Sequence, residues 1–131
     1  MTPQQLPEIG IFYMASPYSK YAAGIWPAYR EAARIAGRLV DAGLNIFSPI
    51  VHSHPLAAYG DIDPLNHALW MKADAPFCAM AGGLLVVQMD GWHESKGVLA
   101  EIEIFRAADK PIFYVCPQTL AIEAEPQQVA A

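Results

Sequence analysis

Polar and charged side chains concentrate at residues 90–101, in the stretch Asp-Gly-Trp-His-Glu-Ser-Lys-Gly-Val-Leu-Ala-Glu. The stretch lies between a predicted strand and a predicted helix, for which Ser95 is a suitable N-cap. The free N–H groups at a helix N-terminus bind anions and other polar ligands. Gly97, in the first helical turn, weakens the helix by roughly 1 kcal/mol relative to Ala. Close approach of a ligand, or of another backbone segment, would explain why a glycine stands there.

Glu101 is the side chain of this stretch whose position best suits catalysis. At about 100° per residue, Val98, Ile102 and Phe105 form the helix face that meets the sheet. Glu101 lies within about 60° of Val98 on this helix, whereas Glu103 lies more than about 100° away and faces water. A carboxylate at the rim of a buried face is a candidate nucleophile or general base. The alternative is an ion pair with a Lys or Arg of a neighbouring element.

Four short runs that are apolar on both faces predict the strands of a buried parallel sheet, at 9–15, 44–47, 84–89 and 111–115. Helices are predicted over 26–42, 63–71 and 95–108, with a further helical turn that Asp74 would cap. Residues 118–131 are interpreted as a tail that is helical around 120–124. The buried stripe of the first helix is assigned to Tyr29, Ala33, Ala36 and Val40.

This alternation of strands and helices predicts an α/β domain with right-handed crossovers. Ligands of such domains bind at the carboxyl ends of the strands. The binding loops are therefore expected at 15–21, 48–63 and 90–95.

Composition limits the classes of function. The chain has 131 residues, 54% hydrophobic and 16% charged, which predicts one domain over 1–131 with a core at 8–117. A net charge of −5 without a basic run argues against a nucleic-acid polymer as partner. No targeting segment and no apolar run of ~18 residues is visible, which predicts a cytoplasmic protein outside the membrane. Cys78 and Cys116 are interpreted as buried small hydrophobes.

Histidines and aromatic residues near the predicted loops admit several interpretations. His52 and His54 would both reach a metal ion from an extended segment, but a third ligand at convincing spacing is missing, and polar pocket lining or a structural loop bond are the alternatives. Trp92 is interpreted as a stacking surface for a base or as a hydrophobic plug, and His93 as loop packing. Three further aromatic residues are assigned to the core, namely Tyr29, Trp70 and Tyr114.

Short motifs along the chain resemble one superfamily in their order and spacing. Ser95-x-Gly97-x-x-x-Glu101 resembles the Ser-x-Gly-x-x-x-Glu signature of the nucleoside 2-deoxyribosyltransferase-like superfamily. The opening strand and loop at 11–17 and the position of Asp74, eight residues before Gly82, are similar to it as well. The motifs SPYS, SPI-x-HSHP and GW-x-x-S-x-G-x-x-x-E are closest to a bacterial and phage branch.

The resemblance implies a three-layer flavodoxin-like or Rossmann-like sandwich with a parallel sheet of four to five strands. It implies that Glu101 attacks the anomeric carbon of a nucleoside or nucleotide, and that Asp74 serves the leaving base. Neither a cofactor nor a metal is expected, and a homodimer or higher homo-oligomer is, with 61–80 or the tail as contacts. The expected substrate-binding residues are Tyr13, Ser16, Tyr18, Ser19, His54, Asp90, Trp92, Ser95 and Gly97.

One departure leaves the substrate open between nucleoside and nucleotide. Nucleotide-specific relatives carry a Gly- and Arg-containing loop after the first strand, where this chain has Ser16-Pro17-Tyr18-Ser19-Lys20. Hydroxyl groups and a lysine can also hold a phosphate. Two other functions stay open: a non-catalytic nucleotide-binding or sensing domain, and cleavage of a larger nucleotide such as NAD.

Overall fold

Five strands organise the chain in a computed structural model that describes residues 1–125. They are β1 (Ile11–Ala15), β2 (Asn45–Phe47), β3 (Gly83–Val87), β4 (Ile112–Val115) and β5 (Ile122–Ala124). The strands form one sheet in the order β2-β1-β3-β4-β5. The first four are parallel, and β5 lies antiparallel to β4 at the edge. The predicted α/β sandwich with four to five strands is therefore confirmed.

Helices cover both faces of the sheet. They are α1 (Ile25–Asp41), α2 (Pro49–Gly60), α3 (His67–Met80) and α4 (Lys96–Ala107). The side chains of each strand pack alternately in two apolar layers, because successive side chains point to opposite faces of the sheet. Phe12 and Met14 of β1 pack in the layer under α1, whereas Tyr13 and Ala15 pack in the layer with α3 and α4.

The buried stripe of α1 lies one residue earlier than predicted. The buried residues of α1 have no exposed surface and are Ala28, Ala32, Ile35 and Leu39. Val40, assigned to the core from the sequence, is 54% exposed. Both stripes have helical spacing, but the observed one buries the larger side chains Ile35 and Leu39 and so removes more apolar surface from water.

The segment predicted as a loop at 48–63 is mostly helix. Ser48 caps α2, its hydroxyl accepting a hydrogen bond from the Val51 N–H at 3.2 Å, and Pro49 occupies the first helical position. Serine followed by proline is a helix-start signal, so the sequence contained the information. The loop that remains joins α2 to α3 over residues 61–66.

Helix α3 merges two elements that were predicted separately. It begins after Asn66, whose side chain accepts a hydrogen bond from the Leu69 N–H, and it continues through Asp74 and Pro76 to Met80. The prediction that Asp63 starts this helix was wrong by one turn. A proline in a helix removes one backbone hydrogen bond, and here packing on α4 and the sheet outweighs that loss.

The C-terminal tail was predicted to be helical around 120–124, and this was wrong. Residues 122–124 form β5, with Ile122 buried and its carbonyl accepting from the N-terminal amine at 2.7 Å. The strand gains ladder hydrogen bonds from β4 that an isolated short helix would lack. The core therefore extends beyond residue 117, and the rest of the predicted tail, 126–131, lies outside the described residues.

Within residues 1–125 no helix is long and apolar enough to span a bilayer. Several large apolar side chains are exposed on the predicted oligomer contact, among them Leu65, Leu69 and Met80. A homo-oligomer stays a prediction.

The order of the strands creates a crevice at the carboxyl ends of β1 and β3. From β1 the chain crosses through α1 to β2 on one side, and from β3 it crosses through α4 to β4 on the other side. Loops that leave neighbouring strands in opposite directions leave a space between them at the strands' carboxyl ends.

Gly91 brings the two loops at this crevice into contact. Its backbone is left-handed, at φ 84°, and a Cβ atom built on it would lie 2.3 Å from the Lys20 carbonyl oxygen. The loop after β3 can therefore lie directly against the loop after β1 only with glycine at this position.

We expect Gly91→Ala to lower the free energy of unfolding by roughly 1–3 kcal/mol, because the left-handed backbone and the Lys20 carbonyl both oppose a side chain. Urea denaturation followed by circular dichroism measures this. The matched control is Gly37→Ala in α1, where no atom lies within 4 Å of the new Cβ. That change should stabilise the chain by up to about 1 kcal/mol. Unchanged stability of the Gly91 variant would contradict the close contact of the loops.

Candidate functional site

A cleft of about 310 Å³ opens at the carboxyl ends of β1 and β3. Its walls come from the loop after β1, from α2, from the first half of α3 and from the start of α4. Eight of the predicted site residues line it, as a set: Ser16, Tyr18, Ser19, His54, Asp74, Ser95, Gly97 and Glu101. Side chains from distant parts of the sequence therefore meet at the end of the sheet where ligands are expected.

Glu101 lies at the buried end of the cleft. It is in the second turn of α4, next to the buried Val98 and Ile102, and is itself 6% exposed. Among residues 1–125, neither Lys nor Arg forms an ion pair with it, so the alternative of a structural ion pair is not observed. Loss of hydration raises its pKa to about 8, and the Asp74 charge adds to this rise. Glu103 is exposed, as the helix geometry predicts, and it forms an ion pair with Arg106.

Tyr13 lies next to Glu101 in the buried layer and does not line the cleft. Its side chain is fully buried in β1, so the prediction that it would contact the substrate was wrong. Its hydroxyl faces the Glu101 carboxyl and moderates the rise of that group's pKa. The Tyr13 hydroxyl is buried without a hydrogen-bond partner in the described residues. Burial, with the nearby Glu101 and Asp74 charges, strongly raises the pKa of Tyr13.

Asp74 enters the cleft from α3 and is 8% exposed. It is in the middle of the helix, so the alternative that it caps a helical turn was wrong. Burial raises its pKa to about 6, and the charge of His52 opposes this rise. Because the Asp74 charge acts on Glu101, the two carboxyls share one electrostatic environment.

Hydroxyl groups line the cleft where β1 and β3 lead into their loops. The Ser16 hydroxyl is buried and has no hydrogen-bond partner in the described residues. Ser95 caps α4 as predicted, its hydroxyl accepting from the Val98 N–H at 3.3 Å. Gly97 follows with no atom within 4 Å of a potential Cβ. Of the two explanations for this glycine, the approach of another backbone segment is therefore wrong, and that of a ligand stays a prediction.

His54 is enclosed by aromatic rings on the α2 side of the cleft. It stacks on Tyr29 at 4.3 Å, meets the edge of Trp26, and its Nδ1 shares a 2.5 Å hydrogen bond with the Tyr18 hydroxyl. Burial, with a contribution from Arg30, lowers the pKa of His54, which favours the neutral ring. Its Nε2 is buried without a partner in residues 1–125.

The extended segment that would bring His52 and His54 to one metal ion does not exist. Both residues belong to α2, where positions two apart point in different directions. His52 is exposed and packs at the edge of Phe47 and Phe77, away from the aromatic enclosure of His54. Within the described residues, no three His, Cys, Asp or Glu side chains converge as metal ligands.

Two further predicted substrate contacts, besides Tyr13, lie outside the cleft. Asp90 is exposed in the loop after β3. Trp92 packs against Tyr114 at 5.6 Å between ring centroids and joins the apolar layer of α4. Of the two alternatives for Trp92, its packing supports the hydrophobic plug, because the indole contacts the apolar layer and does not line the cleft.

One wall of the cleft is not predicted from the sequence. One face of α3 contributes His67 and, three, four and seven residues later, Trp70, Met71 and Asp74. The prediction that Trp70 belongs to the core is wrong, because its side chain lines the cleft and is only half-buried. The spacing was visible in the sequence, but the break predicted between two helices hid it. Lys96, the first residue of α4, was also missed, and it lines the cleft beside Gly97.

Residues 10–116 match the model of a family described as a domain of unknown function, DUF1937. The chain belongs to the DUF1937 family. No curated protein matches the sequence. The matched segment of this DUF1937 domain contains β1 to β4 and every residue that lines the cleft.

The two cysteines of this DUF1937 domain differ in their surroundings. Cys78 is buried below Asp74 in α3, and burial raises the pKa of its thiol to about 11. Cys116 is partly exposed, so its assignment as a buried hydrophobe was wrong. Hydrogen bonds from Thr119 and Gln118 lower the pKa of its thiol. Neither thiol lines the cleft.

The burial of Glu101 predicts a pH-dependent stability. In the unfolded chain this carboxyl ionises near its ordinary pKa of 4.5, whereas in the folded chain it keeps its proton to about 8. The unfolded state therefore binds fewer protons between these values, and stability falls as the pH rises through them. Glu101→Gln removes this loss, so its stability relative to wild type should rise from about pH 5 to about pH 8.

Urea denaturation of both proteins across that range measures the difference. The matched control is Glu103→Gln on the exposed face of α4, whose stability relative to wild type should stay nearly constant. Parallel stability curves for wild type and Glu101→Gln would show that Glu101 is not held in a dry site.

Proposed function

We propose that this DUF1937 domain cleaves or transfers the N-glycosidic bond of a nucleoside or nucleoside 5′-monophosphate, with Glu101 as the nucleophile. The observation that carries the proposal is the pair of buried carboxyls, Glu101 and Asp74, at one end of an open cleft. Neither forms an ion pair with Lys or Arg in residues 1–125. Uncompensated buried carboxyls cost stability, so such a pair marks a candidate for function.

Glu101 has the position required of the nucleophile. Glycosidic cleavage passes through an oxocarbenium-like transition state, in which positive charge develops at the anomeric carbon. A carboxylate in a low-dielectric site stabilises that charge more strongly than one in water. The Glu101 carboxylate attacks C1′ and forms an ester while the bond from C1′ to the base nitrogen breaks. The Tyr13 hydroxyl next to the carboxyl lowers its pKa and so favours the ionised form that attacks.

Asp74 supplies the proton that the leaving base needs. With pKa values of about 6 and about 8, the two carboxyls together carry one proton near neutral pH. In the empty site this proton resides on Glu101, because Glu101 has the higher pKa of the two. The developing positive charge of the sugar favours ionised Glu101 instead, so the proton moves to Asp74 and from there to the base nitrogen.

The glycosyl ester is resolved by an acceptor in the emptied half of the cleft. A water molecule attacks C1′, Glu101 leaves as carboxylate, and the water proton returns to Asp74. With a second base in place of water, the base nitrogen attacks C1′ and loses its proton to Asp74. Hydrolysis and transfer therefore use the same two carboxyls. The chemistry requires neither a metal nor an organic cofactor.

The dimensions of the cleft favour a single nucleoside or nucleotide as the substrate. About 310 Å³ is at the small end of ligand pockets, which suits one sugar and one base better than a dinucleotide such as NAD. Ser16 and Ser95 offer hydroxyl groups to the sugar or a phosphate. Lys96, at the helix start, adds a positive charge that a phosphate would meet.

A non-catalytic nucleotide-binding function is the second candidate. The observation that favours it is the raised pKa of Glu101, since a protonated carboxyl is a poor nucleophile. A binding domain would use the protonated group as a hydrogen-bond donor to the ligand. The two candidates differ in turnover.

We expect the wild-type chain to release free base from at least one member of a panel of nucleosides, 2′-deoxynucleosides and their 5′-monophosphates. Chromatography of the products measures this. Glu101→Gln should lower the rate by roughly a thousandfold or more, because it removes the nucleophile while keeping the shape of the side chain. The rate should peak between about pH 6 and about pH 8, where the carboxyl pair holds one proton.

Glu103→Gln is the matched control, because Glu103 lies on the exposed face of the same helix. It should retain wild-type turnover. Binding of a nucleotide without release of base would favour the second candidate. Base release that is insensitive to Glu101→Gln would rule out the proposed nucleophile.

Gly97 provides a separate test of where the ligand lies. Because no atom is within 4 Å of its potential Cβ, Gly97→Ala should fold normally and gain up to about 1 kcal/mol of stability. A methyl group there projects into the space where the sugar or phosphate approaches the start of α4. We therefore expect a more stable protein with a KM raised by about tenfold or more. Wild-type kinetics in this variant would place the ligand elsewhere.

A further inference from the structure

One face of α3 forms a continuous wall from the buried carboxyls to the open end of the cleft. Asp74 lies at its inner end, followed by Met71 and Trp70 one turn earlier and by His67 two turns earlier. With a rise of about 1.5 Å per residue, Met71 and Trp70 are displaced from Asp74 by about 4.5 and about 6 Å along the helix. A group attached to the atom that Asp74 protonates must pass along this surface.

The indole of Trp70 is held in place before any ligand binds. Its Nε1–H donates to the Asp63 carbonyl oxygen at 3.0 Å. Asp63 is itself fixed, since its side-chain oxygen accepts from the Leu65 N–H at 2.9 Å. Indole has a single hydrogen-bond donor and no acceptor, so nothing polar remains for a ligand. Trp70 can offer only its apolar, polarisable ring surface.

Much of the cleft lining from α2 and the loop before α3 is also apolar. Four of these residues are Ile50, Ala57, Pro64 and Leu65, and the polar side chains of Ser53 and His54 lie among them on α2. Hydroxyl and carboxyl groups from the loop after β1 and from α4 line the cleft as well, with Ser16, Ser95 and Glu101. The cleft thus offers polar groups suited to a sugar and, at Trp70 and Met71, an apolar surface suited to a flat, weakly hydrated ring.

We infer that Trp70 and Met71 form the binding surface for the leaving group, and that this leaving group is a planar heteroaromatic base lying flat against the indole. The inference rests on the proposed function, because it takes Asp74 as the group beside the scissile nitrogen. A second sugar as leaving group would place hydroxyls against the Trp70 ring, which has no free donor or acceptor for them. A base stacks on an aromatic ring and keeps its polar edge free for His67 and the solvent.

The test measures binding of adenosine and cytidine by calorimetry in the Glu101→Gln chain, which is not expected to turn them over. Adding Trp70→Leu should weaken the binding of at least one of them by about 5- to 100-fold, the range that corresponds to single-base stacking. Trp70→Phe should restore most of the affinity, since it keeps an aromatic face. The matched control is Trp92→Leu, which should leave affinity unchanged because Trp92 packs against Tyr114 outside the cleft.

Failure of the inference and failure of the proposed function give different results. Equal affinity in the Trp70→Leu and Trp70→Phe chains, or no binding of either nucleoside, overturns the inference. If base release then still depends on Glu101, the proposed function stands without it. If nucleosides bind through Trp70 but wild type releases no base, the stacking surface is supported and the proposed glycosidic chemistry is wrong. Thermal unfolding of each variant confirms that the chain is folded.

Discussion

A carboxyl group removed from water, without a cation beside it, is the constraint on which the rest of this structure depends. Glu101 is 6% exposed and its nearest ionisable neighbours are another carboxyl and a tyrosine hydroxyl. The chain can keep such a group buried only if the group keeps its proton or if a cation beside it compensates its charge. Packing offsets the cost of this arrangement, because Val98, Ile102 and Phe105 bury one face of α4 against the sheet. Packing therefore places Glu101 in the site, and its raised pKa lets its charge change near neutral pH.

The doubly wound topology explains why that carboxyl faces a cleft and not the middle of the core. β1 and β3 lie side by side, but their connections depart in opposite directions, so the start of α4 borders an open space. α3 closes this space from one side and places Asp74 near Glu101. A helix broken at Asp74, as the sequence first suggested, would have ended the wall above the cleft. The continuous helix through Pro76 makes the wall possible.

Two different kinds of surface meet in the cleft, and the chemistry proposed for it needs both. Buried carboxyls and hydroxyls favour a reacting sugar, whereas Trp70, Met71 and the facing aliphatic side chains favour a flat ring. His54 lies between Trp26, Tyr29 and Tyr18 and keeps a buried ring nitrogen unpartnered. Its neutral state fits a hydrogen-bonding role better than that of a charged partner. The family match spans all of these elements, so the cleft belongs to the DUF1937 domain itself and not to an appended segment.

The sequence by itself determined the parallel α/β layers, the cap at Ser95 and the inward position of Glu101, because these follow from local periodicity and end signals. It also placed most of the cleft residues near strand ends. The tertiary structure alone decided which of two equally spaced stripes α1 buries, and that Tyr13 lies beneath Glu101. It also decided that Trp70 lines the cleft and that residues 122–124 pair with β4. Those outcomes depend on contacts between segments far apart in the chain. Local spacing leaves such alternatives nearly equal in free energy, and packing between elements chooses among them.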